Sequence, residues 1–203
     1  HKNELNYLRI QQQSLEDIFG NHFGYFLICI DITREHELQR KILHHANTDF
    51  LTGLYNRRYF YETAYQLNVE SNIAFIYFDL DNFKTVNDSY GHQMGDEILK
   101  LMAELLRQYF YNDLIIRLGG DEFLVAKTTD EDIHAIKQDV EEFIKKSKQN
   151  FHNSKEFQVI SLSAGIACGN ADFDIDQLLL EADDALYQAK TSGKAKVCVS
   201  NKY

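Results

Sequence analysis

The sequence predicts an α+β domain, a central and mostly antiparallel sheet flanked by helices. Three observations predict it. From Thr48 onward, short apolar runs alternate with amphipathic helical stretches. One run, Ile73 to Leu80, is apolar until it ends in acid, as a central strand would be. Two more, Leu114 to Leu118 and Phe123 to Ala126, flank Gly119-Gly120, which is a β-hairpin signal.

The elements follow in chain order. Residues 5–32 read as two extended segments with a turn at Gly20-Asn21. Phe23 to Ile32 is apolar and aromatic, as a buried strand would be. Arg34 to His45 turns charged and helical, with Leu38, Ile42 and Leu43 on one side, a linker helix suited to pairing with a second copy of itself. Asn56 can cap a helix running to about Asn68. Met94 to Phe110 and Asp132 to Lys148 read as helices, the first strongly amphipathic. Phe157 to Ala167 reads as strand, Ile175 to Lys190 as helix closed by Gly193, and Lys196 to Ser200 as a last strand.

Composition narrows the function. With 203 residues the chain can hold one domain and an attached piece. A globule of this size buries roughly 70% of its unfolded surface and needs no staples. Apolar residues at 44% and charged residues at 26% are ordinary for a soluble protein. No apolar run approaches the roughly 20 residues of a membrane span, and nothing reads as a signal peptide. The first residue is His1 rather than Met, which points to a piece of a longer protein whose missing part could hold membrane spans. A net charge of −10 argues against sequence-independent nucleic-acid binding. An anionic nucleotide is still admissible if local Lys, Arg or metal reverses the field. Cys29, Cys168 and Cys198 share no short spacing, so buried free thiols in a reducing, cytoplasmic setting are expected.

Four constellations could carry chemistry, and each also has a plain structural explanation. Asp79-Leu80-Asp81-Asn82-Phe83-Lys84 puts a carboxylate where a buried strand ends and a helix-like segment begins. A rigid strand end holds a metal ligand well, and the following N–H groups can cradle phosphate; an ordinary helix cap fits too. Asp121 and Glu122 follow Gly119-Gly120 beside apolar Phe123. Acids so placed suit Mg²⁺, although Gly-Gly-Asp is also good turn chemistry. Between Asn87 and Asp96, an amide and a carboxylate offer the acceptors that the guanine edge needs. Asp96 could equally sit at a helix start for the sake of the dipole. Lys190 and Lys194 suit a triphosphate, but cations are favoured at a helix C-terminus anyway.

Their order and spacing together are specific. Asp49-Phe50-Leu51-Thr52-Gly53-Leu54-Tyr55-Asn56-Arg57 resembles the entry motif of GGDEF domains. The stretch from Asp79 to Asp96 resembles their nucleotide segment, and Arg117 to Phe123 their signature hairpin. Asp183 to Lys194 resembles their closing motif. The resemblance covers residues 48–200. Upstream, Asp31-Ile32-Thr33-Arg34-Glu35 resembles the last strand of a PAS sensor domain entering its output helix. This gives three expected segments: the C-terminal hairpin of a PAS-like domain (1–33), a linker helix (34–47) and a GGDEF catalytic domain (48–203).

The resemblance implies a fold akin to the adenylate cyclase catalytic domain, with a ferredoxin-like core. It implies condensation of two GTP into cyclic di-GMP with release of two pyrophosphates, by a homodimer, with Mg²⁺ or Mn²⁺, two ions per site. Carried over by motif, Asp79, Asp121 and the carbonyl of Leu80 bind metal, and Glu122 lies near the metals and the attacking hydroxyl. Asn87 and Asp96 read guanine. Phe83, Lys84, Lys190 and Lys194 hold phosphates, and Asp49 pairs with Arg57. The family's Arg-x-x-Asp inhibitory site is degenerate here: Asp113 is present, but Phe110 stands where the Arg belongs. Phe cannot replace a guanidinium as a phosphate partner. Two alternatives remain: a catalytically silent module that binds GTP or cyclic di-GMP, and a cyclase of altered base choice.

Overall fold

A computed structural model describes residues 6–64, 72–170 and 173–200. The chain divides into two compact units, His1–Ala46 and Asn47–Tyr203.

The first unit is a hairpin followed by a helix. β1 (Leu8–Glu16) pairs antiparallel with β2 (His22–Asp31), and α1 spans Thr33–Asn47. Tyr7 fastens the helix start to the hairpin: its ring stacks on His36 at 3.8 Å and its N–H donates to Thr33 Oγ1 at 2.9 Å. The strand expected to be buried is instead exposed, with Tyr25 and Leu27 about three-fifths accessible, at 59% and 61%. A two-stranded sheet has no second layer of its own to cover either face. Leu38, Ile42 and Leu43 are likewise exposed. So is Cys29, against expectation, while Cys168 and Cys198 are partly accessible.

The second unit is a six-stranded sheet in the order β3-β5-β6-β4-β7-β8. The strands are β3 (Tyr55–Asn56), β4 (Ile73–Asp81), β5 (Leu114–Gly119), β6 (Glu122–Thr128), β7 (Ser161–Gly169) and β8 (Val197–Val199). The four inner strands pair antiparallel, and β3 and β8 add parallel at the edges. The helices are α2 (Arg57–Ala64), α3 (Phe83–Tyr90), α4 (His92–Tyr109), α5 (Ile133–Phe151) and α6 (Ile175–Thr191). The path β4-α4-β5-β6-α5-β7 with strands ordered β5-β6-β4-β7 is the ferredoxin-like core.

Alternation along β4 divides the core. Ala74, Ile76, Phe78 and Leu80 pack toward α4 and α5, while Ile73, Phe75 and Tyr77 pack toward α2 and α6. Every β4 residue is buried, which explains its unbroken apolar run. Gly165 on β7 lets α6 approach closely, because a Cβ there would overlap the Ala182 carbonyl and the Leu186 amide.

Several boundaries differ from expectation. Asn56 does cap α2, accepting from the Tyr59 N–H at 2.9 Å, but the stretch toward Asn68 lies outside the described residues. The strand expected from Phe157 begins at Ser161, because Lys155–Phe157 makes a 3-10 turn. The residues between Asn87 and Asp96 are mostly helical, with a break at Gly91, whose φ is +87°.

Candidate active site

Asp79 and Asp81 extend the face of β4 that carries Tyr77, the side on which α6 packs. The sequence therefore aims both acids toward the end of that helix. Lys190, in the last turn of α6, meets Asp79 Oδ2 at 2.6 Å. Asp79 is 5% exposed. Burial pushes its carboxyl up to about 6, against the pull of Lys190 and with help from the charges of Asp121 and Asp81.

The signature hairpin lies beside this strand end. Gly119 pairs with Glu122, leaving Gly120 and Asp121 as a two-residue loop. Gly120 takes φ +52° at the first loop position, where a Cβ would be strained. Glu122 lies directly across the ladder from Asp79, and the Leu80 N–H donates to the Asp121 carbonyl at 3.4 Å. Arg117 holds the loop from below: Nε and Nη2 donate to the Gly120 carbonyl at 3.1 and 2.7 Å. Its Nη1 reaches Asp49 Oδ1 at 2.9 Å. The expected Asp49–Arg57 pair is thus corrected to Asp49–Arg117, while Arg57 lies 5.9 Å from the centre of the Tyr61 ring. Burial works against ionised Asp49, yet hydrogen bonds from Thr52 and Arg117 outweigh it and hold its carboxyl below the ordinary value.

The stretch expected to bind the nucleotide occupies α3 and the start of α4. Asn82, in a left-handed conformation at φ +63°, precedes α3 without a side-chain cap. The first-turn amides, at Phe83 and Lys84, are therefore left open to an anion. Asn87 projects from α3 against the first turns of α4, where its Oδ1 is buried without a partner. Gly95 makes room for it: a Cβ there would overlap Asn87 Oδ1 and press on the Phe83 ring at 3.1 Å. Asp96 lies in the second turn of α4, which starts at His92, so the dipole explanation for it weakens.

Beyond α6, the Lys194 N–H bonds the Ala189 carbonyl at 3.0 Å, closing the helix in a Schellman turn around Gly193. Lys194 Nζ reaches Asn82 Oδ1 at 3.0 Å. Both lysines thus come to the end of β4, one on Asp79 and one at the start of α3.

A family model described as "Diguanylate cyclase, GGDEF domain" matches residues 46–196, well over half of the chain. The chain belongs to the GGDEF diguanylate cyclase family. Diguanylate cyclase DgcS of Shewanella oneidensis is 38% identical over 155 residues, covering 73% of this chain and 51% of that protein. Cyclic di-GMP phosphodiesterase PdeR of Escherichia coli is 35% identical over 182 residues, covering 86% of this chain and 27% of PdeR. The coiled coil and GGDEF domain of DgcB from Caulobacter crescentus, solved with c-di-GMP, superposes with a TM-score of 0.74 at 25% identity. That match covers 83% of this chain and 93% of DgcB's solved chain. The chain spans about half the length of the first curated relatives it matches, 54% and 45%.

As a GGDEF domain, the chain offers a donor set that suits a hard cation. Mg²⁺ needs only one or two carboxylates when substrate phosphates supply the rest. Asp79 and Asp121 are close enough to act on each other's charge. Among the described residues, no group of three or more His, Cys, Asp or Glu side chains is arranged to hold a metal without such phosphates.

Phe110 and Asp113, expected from the sequence to form a degenerate inhibitory pair, have different surroundings. Phe110 is 5% exposed at the end of α4, and its ring packs against Phe78, Tyr109 and Phe143. It is a core residue. Asp113 instead lines an open cavity of about 540 Å³ with Tyr111, Lys127 and Glu131. Burial raises its carboxyl pKa, with Lys127 opposing.

Four contributors escaped the sequence reading. Tyr77 is buried on β4, and burial with the charges of Glu122 and Asp183 raises its hydroxyl pKa well into the alkaline range. Arg117 was visible in the signature, but its partner was not. Gly95 gives no signal in one sequence. Asp81 was overshadowed by Asp79, although the Asp-x-Asp spacing on one strand face was available.

Proposed function

We infer that this domain is a diguanylate cyclase that condenses two GTP into cyclic di-GMP. The observation that carries the reading is the convergence of Asp79, Asp121, Lys190 and Lys194 at one strand end, beside the open start of α3. Metal bound there, Mg²⁺ or Mn²⁺, would lower the pKa of a ribose 3′-hydroxyl and neutralise charge on the α-phosphate and leaving pyrophosphate.

The chain's own residues bind and orient. Asp79 and Asp121 supply the carboxylates, with the Leu80 carbonyl, and Glu122 sits one ladder position across from Asp79. Asn87 and Asp96 take the guanine edge, which offers adjacent N–H donors to a carboxylate. The amides at Phe83 and Lys84 cradle phosphate, and the Lys84 side chain adds charge. Lys190, now on Asp79, and Lys194 would serve the outer phosphates. Each 3′-hydroxyl gives up its proton to solvent as its oxygen attacks the α-phosphorus of the other GTP, and each bond from the α-phosphorus to the α–β bridging oxygen breaks to release pyrophosphate. Positioning and charge supply most of the rate in such transfers.

Each domain holds one GTP, so two domains must face each other. The exposed apolar positions Leu38, Ile42 and Leu43 on α1 suit a helix that pairs with its copy and sets that geometry. In this reading β1 and β2 are the end of a PAS-like sensor, residues 34–47 are the linker, and the domain works in the cytoplasm. No described helix is long and apolar enough to cross a membrane. The buried aromatic setting of Phe110 supports the absence of the Arg-x-x-Asp brake.

A silent GTP-binding module is the second reading, favoured by the phosphodiesterase naming of PdeR. Incubation with GTP or ATP and Mg²⁺, followed by chromatography of the products, separates them. The cyclase reading expects a cyclic dinucleotide from GTP alone. Tight GTP binding without product supports the silent module, and product from ATP overturns the guanine assignment.

A further inference from the structure

Asp81 is a buried acid that the reaction as described does not use. It ends β4 and is 2% exposed. Ser163 Oγ donates to its Oδ1 at 2.9 Å and to its Oδ2 at 3.0 Å. Oδ2 also accepts from Ser161 Oγ at 2.7 Å and from the Ala195 N–H at 3.1 Å. Both serines lie on β7, the neighbouring strand. With protein donors on both oxygens, Asp81 is a structural acceptor rather than a cation ligand.

The Ala195 contact falls on strained backbone. Gly193, Lys194 and Ala195 take φ of +116°, +61° and +51° in succession. A left-handed conformation is unfavourable for an L-residue, and here two non-glycine residues adopt it consecutively. Such strain persists only where the surroundings over-determine it. On the facing side, Asn82 is also left-handed, and its amide donates to the Val159 carbonyl at 2.9 Å while its Oδ1 receives Lys194 Nζ. Two strained turns, one after β4 and one after α6, are therefore clasped together by adjacent residues, Asp81 and Asn82.

We propose that Asp81 is a positioning residue. Its carboxylate locks the turn after α6 in the left-handed form that delivers the Lys194 ammonium to the start of α3, where the outer phosphates of a nucleoside triphosphate lie. The proposal rests on the GTP reading for its ligand, but the clasp itself does not depend on one. Asp81 acts through Lys194, so its loss weakens recognition of the triphosphate and spares that of the base.

Calorimetry with a non-hydrolysable GTP analogue and with GMP tests this on wild type, Asp81→Ala, Asp81→Asn, Lys194→Ala and the Asp81→Ala/Lys194→Ala double variant. Asp81→Ala is expected to weaken the triphosphate about tenfold while GMP stays within about twofold. Asp81→Asn keeps an acceptor oxygen and should recover most of the loss. In the Lys194→Ala background, removing Asp81 should cost less than about twofold more. Equal losses for both ligands, or fully additive losses, overturn the proposal. If Asp81→Ala does not fold, the Ser161→Ala/Ser163→Ala variant unseats the carboxylate without removing it, with the same expectations. Amide exchange in ligand-free protein separates the two ideas. Unseating Asp81 should speed exchange at Ala195 about tenfold or more and leave Phe123 unchanged. Unchanged Ala195 exchange overturns the clasp whatever the protein binds. Wild type that binds neither nucleotide removes the GTP reading, and the exchange result then decides the clasp.

Discussion

At neutral pH, Asp79 is ionised against the preference of its surroundings. Its folded-state pKa, about 6, lies above the ordinary 3.8. The native state therefore holds the proton more tightly than the unfolded chain. The stability this contributes is complete below pH 3.8 and is lost as pH rises through about 6. In metal-free protein, Asp79→Asn should raise stability at pH 7.5 by on the order of 2 kcal/mol and change little near pH 4. Thermal melts with a chelator at both pH values check this. The same variant should lose the stabilisation that Mg²⁺ and a GTP analogue give wild type. Gly95 makes the opposite kind of case. Ala is the better helix former by roughly 1 kcal/mol, yet its Cβ would displace Asn87. Gly95→Ala should leave the melting temperature near wild type and weaken guanine-nucleotide binding about tenfold or more, measured by calorimetry. Of these residues, Asp79 was legible from its place at a strand end. Gly95 was not, because a glycine needed for close approach looks in one sequence like any other.

Among the elements, the hairpin from β5 to β6 depends most on a distant loop. Arg117 bonds Asp49 and the Gly120 carbonyl together, and Arg107 Nη2 ties the same loop through the Thr52 carbonyl at 2.6 Å. Arg117→Ala would strand a largely buried Asp49 and free the loop that presents Asp121. It should cost about 2–3 kcal/mol in denaturant unfolding and lower turnover more than the stability loss explains. Arg57→Ala should cost little by comparison. The sequence showed the hairpin through Gly119-Gly120, the helices through their apolar spacing, and β4 through its unbroken run. It misassigned the partner of Asp49 because Arg57 and Arg117 are equivalent charges until the parallel pairing of β3 with β5 brings one of them close. It also misjudged β2, since an apolar strand does not reveal whether a second layer covers it. The end of α4 is a further test. Phe110→Arg would bury a guanidinium in an aromatic cluster and should destabilise the domain by about 3 kcal/mol or more, seen in the same unfolding experiment. If Phe110 stands at the lost Arg of an inhibitory site, as proposed, this substitution should not by itself give product inhibition.

For the whole molecule, the proposed reaction gives each domain half of the work. If the carboxylates, the lysines and the stretch from Asn87 to Asp96 hold one GTP, as proposed, the second comes on another copy. Specific activity should therefore climb with protein concentration and level off as the dimer saturates, measured by initial rates across a dilution series beside light scattering. The first unit, with its uncovered hairpin and exposed α1 positions, is where such pairing would be controlled. In the proposed function, Asp79 and Asp121 together make GTP turn over. The most direct measurement compares product formation from GTP and Mg²⁺ by wild type, Asp79→Ala and Asp121→Ala at equal dimer concentration. Wild type should yield cyclic di-GMP with two pyrophosphates, and each variant should be slower by about a hundredfold or more. A variant that keeps the wild-type rate would contradict the role of its carboxylate.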